Sequence, residues 1–474
     1  MSASHLECSL HHRLYRDSVT LMSLAAELQK MEGILEAGVV MATPSNLDIL
    51  SRSNMLPEDL EAGPDDLLIS VRGTDTDSIK AALNLADEKL TAEVNTKGSQ
   101  SLDFEPKTID EALKDSTPEL VTVSVPGVYA APVIETALKR DLNVFCFSDN
   151  VSIEDEDRLK KLAHDRNLLL MGPDCGTAII DQIPLGFANE ISHGNVGIVS
   201  ASGTGAQEVS TLIDRAGVGV SQLIGVGGRD LSGKVRWPAT FIALEKLDSD
   251  PETKLIVVIS KPPAKELVEK LKVVSRQLSK PLIACLLGEE DSDSTMTVRG
   301  TLEGAAIEIA AYFRKQLDFD APYVDIPVDG SKITGLYTGG TLAHEAEILC
   351  ERAGVSYKIL DLGDDQYTQG RPHPMISPDL RSEFIENLED TDVLLVDVVI
   401  GWGSSSDPAT PITQAITKAR ESGHDPVVLA SITGTEKDHQ SYQSQAEILR
   451  NAGIFVFPSN AAAVRCAIDL VSKE

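Results

Sequence analysis

Basic residues are scarce in this chain. Lys and Arg number 42 against 73 Asp and Glu, giving a formal net charge of -31 and a pI near 4.6. Such a surface repels polyanions, which argues against nucleic acid and anionic membrane as partners. Long apolar runs are also missing. None approaches the roughly 18–20 residues of a membrane span. The segment Met1-Ser-Ala-Ser-His-Leu-Glu-Cys-Ser lacks the basic and apolar regions of a signal peptide. Cysteines are few and scattered, at 8, 146, 175, 285, 350 and 466, with no C-x-x-C pair. That argues against a disulfide framework and fits reduced thiols in a cytoplasm. No Cys and His positions have zinc spacing. His11 and His12 are adjacent surface candidates, so no metal site is expected.

What is present suffices for real cores. The chain has 474 residues, 42% of them hydrophobic, with a mean hydropathy of -0.05. That length accommodates three or four domains. Residues 1–92 read β-α-β-β-α, with strands near 7–13, 34–41 and 67–71 and helices near 17–30 and 76–90. This predicts a small α+β unit of ferredoxin-like kind. The polar stretch 91–104 reads as a linker. From residue 105 the pattern alternates strand and helix, as parallel sheets with covering helices do. It divides into a partial Rossmann-like unit at 105–190 and two further α/β units at 194–315 and 332–474. The fold class is therefore α/β with a small α+β N-terminal unit.

One pattern occurs twice. Gly197-Ile-Val-Ser-Ala-Ser-Gly-Thr204 runs into Gly205-Ala-Gln-Glu208, and Gly335-Leu-Tyr-Thr-Gly-Gly-Thr341 runs into Leu342-Ala-His-Glu345. Each is a short apolar strand, a glycine turn and a helix closed by Ala-Gly at Gly217 or Gly354. The Thr is placed near the helix N-cap, where a hydroxyl can satisfy an orphan N–H. Free amides and the helix dipole then attract phosphate or carboxylate. The glycines let the backbone approach that anion and permit φ > 0. Ser202, Gly203 and Thr204, with Gly339, Gly340 and Thr341, are the candidate anion-binding residues; the alternative is a plain strand-to-helix connection. After the second strand of each unit come Gly225-Val-Gly-Gly-Arg-Asp230 and Leu360-Asp-Leu-Gly-Asp-Asp365, at carboxyl ends of strands where open α/β sheets bind ligands.

These residues resemble succinyl-CoA synthetase and, more closely, the FdrA-type acyl-CoA-synthetase-like proteins. Met171-Gly-Pro-Asp-Cys-Gly-Thr-Ala178 is similar to the end of the synthetase CoA-binding domain. The segment from Gly194 resembles the alpha-subunit ligase domain, and residues from 333 resemble the beta-subunit ligase domain. FdrA-type signatures are Phe147-Ser-Asp-Asn-Val151, Gly227-Gly-Arg-Asp-Leu231, Ser260-Lys-Pro-Pro-Ala264 and Leu336-Tyr-Thr-Gly-Gly-Thr-Leu342. Gly370-Arg-Pro-His-Pro-Met375 and Gly434-Thr-Glu-Lys437 complete the set.

The resemblance implies two flavodoxin-like ligase-type domains behind a CoA-binding-type unit. The departures from it carry the mechanistic content. Thr301 stands where the synthetase has its phosphohistidine, and Lys261 stands where it has the Glu that orients that His. The ATP-grasp domain and the Gly-rich half of the CoA-binding domain have no counterpart. ATP is therefore not expected on this chain, and CoA is doubtful. FdrA-type proteins are associated with oxamate carbamoyltransferase, in which oxalurate and phosphate give oxamate and carbamoyl phosphate in allantoin breakdown. That implies phosphate or carbamoyl phosphate as ligand, other transferase subunits as partners in a hetero-oligomer, and a small anionic metabolite as substrate. Two other readings stay open: an acyl-CoA ligase whose ATP-grasp domain and His lie on a partner, and a non-catalytic anion-binding scaffold.

Further candidates follow from the loops. Gly228, Arg229 and Asp230 are either site residues or, for the last two, a surface ion pair. Lys261 and Arg371 offer charge-assisted bonds to an anion. His373, between two prolines that stiffen the loop, is with Arg371 the catalytic candidate; the alternative is a rigid structural loop. Asp174, Cys175 and His344 read as packing or structural residues. Asp364, Asp365 and Glu436 are acidic loop positions that either hold a cation or an amide or are simply solvated.

Overall fold

The computed structural model describes residues 5–472 apart from 15, 17, 58–59, 97–107, 115, 291, 293–295, 318–320, 329, 369–370 and 389–390. The chain divides into two compact units. One comprises Met1–Pro118, Ser124–Pro126 and Asp364–Ser377; the other comprises Glu119–Val123, Gly127–Gly363 and Pro378–Glu474. Among the described residues no helix is long and apolar enough to cross a membrane.

The first unit runs β1 (His5–His11), α1 (Ser18–Gln29), β2 (Ile34–Met41), α2 (Pro44–Arg52), β3 (Leu67–Gly73), α3 (Thr76–Thr96) and α4 (Ile109–Ala112). Its antiparallel sheet has the order β1-β3-β2. Alternation on β3 divides two small cores, as a period of 2 requires. Leu67, Ile69 and Val71 join Leu24, Leu28, Ile79 and Ala82 from α1 and α3. Leu68 faces the other way, towards Leu50 of α2 and Met55. The predicted β-α-β-β-α order is present with α2 added. That helix had a signal: Thr43 caps it, accepting from Asn46 N–H, and Pro44 follows at the first helical position. Helix α3 also runs six residues beyond the expected end at Leu90, because no Gly or Pro interrupts it before Gly98. The expected linker is thus helical at its start, and its remainder from residue 97 lies outside the described residues.

The second unit begins with β4 (Leu120–Val123), α5 (Gly127–Leu138), β5 (Asn143–Cys146), α6 (Ile153–Asp165) and β6 (Leu170–Met171), a parallel three-stranded sheet β4-β5-β6. A hairpin, β7 (Thr177–Ile180) and β8 (Ile183–Gly186), follows. It turns through Asp181 and Gln182, both at positive φ, without the glycine that would announce such a turn. The first lobe then runs β9 (His193–Ser200), α7 (Gly203–Arg215), β10 (Val220–Gly225), α8 (Ala239–Ser249), β11 (Leu255–Ser260), α9 (Lys265–Ser275), β12 (Leu282–Leu286), β13 (Thr297–Arg299) and α10 (Leu302–Tyr312). The second runs β14 (Lys332–Tyr337), α11 (Gly340–Ala353) and β15 (Ser356–Asp361). After α12 (Asp365–Thr368), in a segment of the first unit, come α13 (Asp379–Glu386), β16 (Val393–Val399), α14 (Ala409–Glu421), β17 (Val427–Thr433), α15 (Tyr442–Asn451), β18 (Phe455–Phe457) and α16 (Asn460–Val471).

The sheet orders are β13-β12-β11-β9-β10-β7-β8 and β15-β14-β16-β17-β18. Apart from the hairpin, both lobes have the doubly wound order 2-1-3-4-5. Ligands of such sheets sit where the order reverses, at the carboxyl end of the first strand. That point is the turn after β9 in one lobe and after β14 in the other.

The lobes hold each other through reciprocal helix capping. Glu208, the sixth residue of α7, accepts from the N–H of Asn460 at the start of α16 (3.2 Å) and from Thr433 Oγ1. Glu345, the sixth residue of α11, accepts from the N–H of Leu302 at the start of α10 (2.7 Å) and from Asn460 Nδ2 (2.8 Å). Each carboxylate therefore satisfies an orphan amide of the other lobe's last helix. Both glutamates are buried. Burial raises the Glu345 carboxyl to about 7 from an ordinary 4.5.

This shift makes a pH prediction. A carboxyl raised in the folded protein favours folding while protonated. That contribution is complete below the unfolded value and is lost as pH rises through the folded one. Between pH 4.5 and 7 the unfolding free energy from this group should fall by roughly 3 kcal/mol. Urea unfolding at pH 5 and pH 8 reads it. Glu345→Gln should show a smaller drop than the parent, and an equal drop rejects the assignment.

Candidate anion site

The first turn is pinned by its own hydroxyls. Ser200 Oγ accepts from Ser202 N–H (3.1 Å) and donates to Ser202 O (2.6 Å). Ser202 is the N-cap of α7, with φ -155° and ψ 122°, and its Oγ accepts from Gly205 N–H at 2.9 Å. Ser202 therefore caps, and not Thr204 as the spacing implied. Thr204 lies in the first turn of the helix, with its methyl group against Gly339: a Cβ there would lie 3.0 Å from Thr204 Cγ2.

The second turn is built differently. Gly339 is the N-cap of α11 at φ -104°, with no side-chain cap. Neither Gly203 nor Gly340 has positive φ. Close approach, not a left-handed backbone, accounts for these glycines. The Thr341 hydroxyl reaches across to the first lobe, and its Oγ1 lies 2.5 Å from Ser202 Oγ. Beneath the turn Asp397 accepts from the amides of Thr338 and Gly339, both at 2.8 Å. Arg381 donates to Asp397 from the other side at 3.0 Å. Both members of this pair are fully buried. Burial pushes the Asp397 carboxyl up, while Arg381 and the turn amides act to hold it down.

The hydroxyl contact joins the two helix starts at one point and leaves donors over. Of the two hydroxyl protons only one can lie in the Ser202–Thr341 bond. The other has no acceptor among the described residues, although Ser202 and Thr341 are both buried. The first-turn amides of Gly203, Thr204, Gly340, Thr341 and Leu342 likewise have no acceptor among the described residues. Thr341 and Leu342 are buried, whereas Gly203, Thr204 and Gly340 are half-buried. Donors without acceptors are costly where water is excluded, and these belong to two helix N-termini. The arrangement can complement a small oxyanion.

The other candidates divide. Gly228 shares a small cleft with Ser202, Gly203, Cys175 and Thr177; its free volume of about 10 Å³ suits a single water. Lys261, at the end of β11, brings its ammonium to 3.4 Å from where a Cβ on Gly340 would lie. Arg229 and Asp230 are not a surface ion pair. Asp230 is fully buried, accepting from Lys160, from the amides of Ala239 and Thr240, and from Thr240 Oγ1. It caps α8, while Arg229 pairs with Glu156 at 2.8 Å. Cys175 is a buried thiol pushed to about 12 by burial.

His344 pairs with Glu347. Glu436 accepts from Ser441 Oγ and Gln443 N–H. Asp364 accepts from Gln366 N–H, and the Asp365 side chain and Gly370 lie outside the described residues. Arg371 and His373 belong to the first unit. Arg371 is exposed, and His373 Nδ1 accepts from Met375 N–H at 3.2 Å. Burial lowers the imidazole to about 4, which makes it a neutral ring at physiological pH.

Sequence reasoning passed over Asp397 and Arg381. Asp397 had a signal: it is a lone acid in the apolar run Leu394-Leu-Val-Asp397-Val-Val399. A charge in a strand buried on both faces needs a partner.

Comparison with known proteins fits this architecture. The CoA-ligase family model matches residues 199–320 and 336–470. A model described as AllF, heavy metal-associated domain, matches residues 3–106. Over 97% of both chains the protein is 37% identical to the uncharacterised protein YahF of Escherichia coli (strain K12). It is 29% identical to the ADP-forming succinate–CoA ligase alpha subunit of Staphylococcus epidermidis, over 41% of this chain and 65% of that subunit. Among solved structures, the dinucleotide-forming acetyl-coenzyme A synthetase 1 of Ca. Korarchaeum cryptofilum, in complex with phosphate and ADP, is 16% identical. It covers 76% of this chain and 84% of its own, with a TM-score of 0.35, too low to carry structural inference.

A heavy-metal site does not fit the described N-terminal residues. Cys8 is the single cysteine before Cys146, and its half-buried thiol donates to Ser70 Oγ at 3.4 Å. Soft metals need several close thiolate or imidazole ligands, and no group of three or more His, Cys, Asp or Glu able to hold a metal occurs among the described residues.

The Asp397–Arg381 pair yields a stability prediction. Asp397→Ala leaves a buried guanidinium without its counterion and should cost about 3–5 kcal/mol. Asp397→Leu combined with Arg381→Met removes both charges and should recover much of that loss. Equal destabilisation in the single and double variants, read by chemical denaturation, would show that the charge pairing is irrelevant.

Proposed function

Since the chain belongs to the CoA-ligase family, we propose that it is a transferase subunit handling an acyl or carbamoyl phosphate. The specific reaction is oxalurate and phosphate to oxamate and carbamoyl phosphate. The observation that carries this reading is the junction of the two helix starts, where Ser202 and Thr341 meet at 2.5 Å beside amides and a hydroxyl proton without acceptors. Five amides and one hydroxyl suit the several oxygens of a phosphate better than any neutral ligand. The oxalurate, carbamoyl and hetero-oligomer parts rest on the family resemblance, with other subunits supplying the remaining groups.

The state of Thr301 supports phosphate chemistry without a phosphohistidine. Thr301 caps α10, its Oγ1 accepting from Gly304 N–H at 3.0 Å, and its carbonyl accepts from the Cys285 thiol. No His occurs between Gly194 and Ala343. A reaction between a phosphorus oxyanion and a carbamoyl donor requires neither ATP nor a phosphorylated imidazole. It requires binding and positioning of the anion, which prepaid backbone dipoles supply without reorganisation.

Isothermal titration with phosphate, ATP and CoA tests the reading on the full chain. Phosphate is expected to bind, and Gly203→Val to weaken it about tenfold or more by placing branches over the Gly203 and Thr204 amides. The φ of Gly203 is not positive, and the new Cβ would lie 3.1 Å from Thr177 Oγ1, a contact that requires that side chain to give by a few tenths of an ångström. Gly340→Val is a poorer probe, because its Cβ would lie 2.3 Å from Asp361 Oδ2. Tight ATP or CoA binding with no effect of phosphate would sink the proposal and favour a ligase half-site completed by a partner. Incubation with labelled ATP should leave no acid-labile phosphate on this chain.

A further inference from the structure

The sheet of the first unit has an open side. Its order β1-β3-β2 makes β1 and β2 the edges, and the two edges are not alike. β2 shifts register between Ile34 and Glu36, an irregularity of the kind that discourages further pairing. β1 pairs with β3 without interruption, from His5 opposite Gly73 to His11 opposite Leu67. It contains no Pro and no Lys, two other common protections of an edge. A strand with one neighbour turns every second residue's amide and carbonyl outward. Those of β1 have no partner among the described residues.

The sequence of β1 is nearly a palindrome. His5-Leu-Glu-Cys-Ser-Leu-His11 reads the same in both directions except at Glu7 and Ser9. Its two faces differ in chemistry. Leu6, Cys8 and Leu10 lie on the side of α2, packed against the cluster of Leu50, Met55 and Leu68. Glu7, Ser9 and His11 alternate with them onto the side of α1 and α3. There Ser9 Oγ lies 3.3 Å from His11 Nε2, and His11 pairs with Asp87 of α3 at 3.0 Å. All six of these side chains are half-buried, so neither face of the edge is fully covered.

We propose that β1 is the docking strand for a second copy of this chain, paired antiparallel about a two-fold axis at Cys8. A two-fold contact requires a surface that complements itself, and a palindromic strand does so when paired about its centre. Cys8 then faces Cys8 of the second copy, Leu6 faces Leu10, and His5 faces His11. The two apolar rows join into one stripe on the α2 side, and the two three-stranded sheets become one. On the other side Glu7 faces the Ser9 hydroxyl, which can donate to its carboxylate. No acid directly opposes an acid; the two Glu7 residues are diagonal, at roughly 7–8 Å. With a net charge of -31, two copies repel each other at a distance, and a contact between them must not add like charges face to face. A single strand pair is small beside a standard interface, so the dissociation constant is expected to be on the order of micromolar.

Sedimentation equilibrium of the full chain from about 1 to 100 µM, spanning that range, is the measurement. The wild type should approach twice 50.9 kDa at the upper end. Ser9→Glu sets an acid against Glu7 at both symmetry-related places and should weaken dimerisation about fivefold or more. Adding Glu7→Lys to Ser9→Glu makes both contacts attractive and should restore it. Ser9→Lys alone should dimerise at least as well as the wild type. Circular dichroism checks that each variant folds. Hydrogen exchange of the wild type gives a second reading that needs no variant: uptake in the peptide carrying residues 5–11 should fall as the dimer forms. A monomer throughout the range overturns the inference. So does a dimer whose affinity is unchanged in folded Ser9→Glu, or one that forms without protecting β1.

Discussion

Two buried glutamates set the geometry on which the junction depends. Glu208 and Glu345 occupy the same place in their respective helices, and each terminates a helix of the opposite lobe. A carboxylate on a helix start gains from the dipole and from a charge-assisted hydrogen bond. Because the arrangement is reciprocal, α7 and α11 cannot slide past each other without breaking a cap at each end. Their own N-termini are thereby brought together at Ser202 and Thr341. Burying carboxylates is expensive unless they are fully bonded, and burial pushes both of these upward. The cost is accepted in exchange for a fixed register between two sheets that share no strand.

That register also explains why a symmetric repeat yields an asymmetric site. The first turn is closed by neutral hydroxyls from Ser200 and Ser202. The second is closed by the charge of Asp397, and Arg381 balances it from beneath. Duplicated backbones supply similar amide dipoles, but the side chains around them have diverged. The charge on one side raises the local cost of an anion there, so the two helix ends are not equivalent despite their matched sequence.

The rhythm of strand and helix was legible because the buried parallel strands are near-continuous apolar runs, such as Leu255-Ile-Val-Val-Ile-Ser260. The glycine turns fall where the first strand of each lobe ends, so the candidate residues Ser202, Gly203, Gly339, Gly340 and Thr341 were readable from spacing alone. The hairpin at Thr177–Gly186 was not, since Asp181 and Gln182 take positive φ without a glycine. Asp230 looked like half of an exposed pair because its partner Lys160 is 70 residues away. The caps on α10 and α16 join positions 43 and 252 residues apart. Sequence pattern registers local periodicity; it has no access to which helix start a distant glutamate will meet.

The overall charge makes the choice of donors intelligible. With a net charge of -31, the far field of the protein repels phosphates. Screening limits that repulsion to about 8 Å at physiological ionic strength. Inside that distance the donors must be ones that acidic neighbours cannot neutralise. Backbone amides at helix starts meet this condition: they carry no titratable charge and form no competing ion pairs. A lysine or arginine in the same place would be drawn towards the surrounding carboxylates, as Arg229 is to Glu156 and Arg236 to Asp157. The proposed anion site, made chiefly of amides and hydroxyls, accords with so acidic a protein.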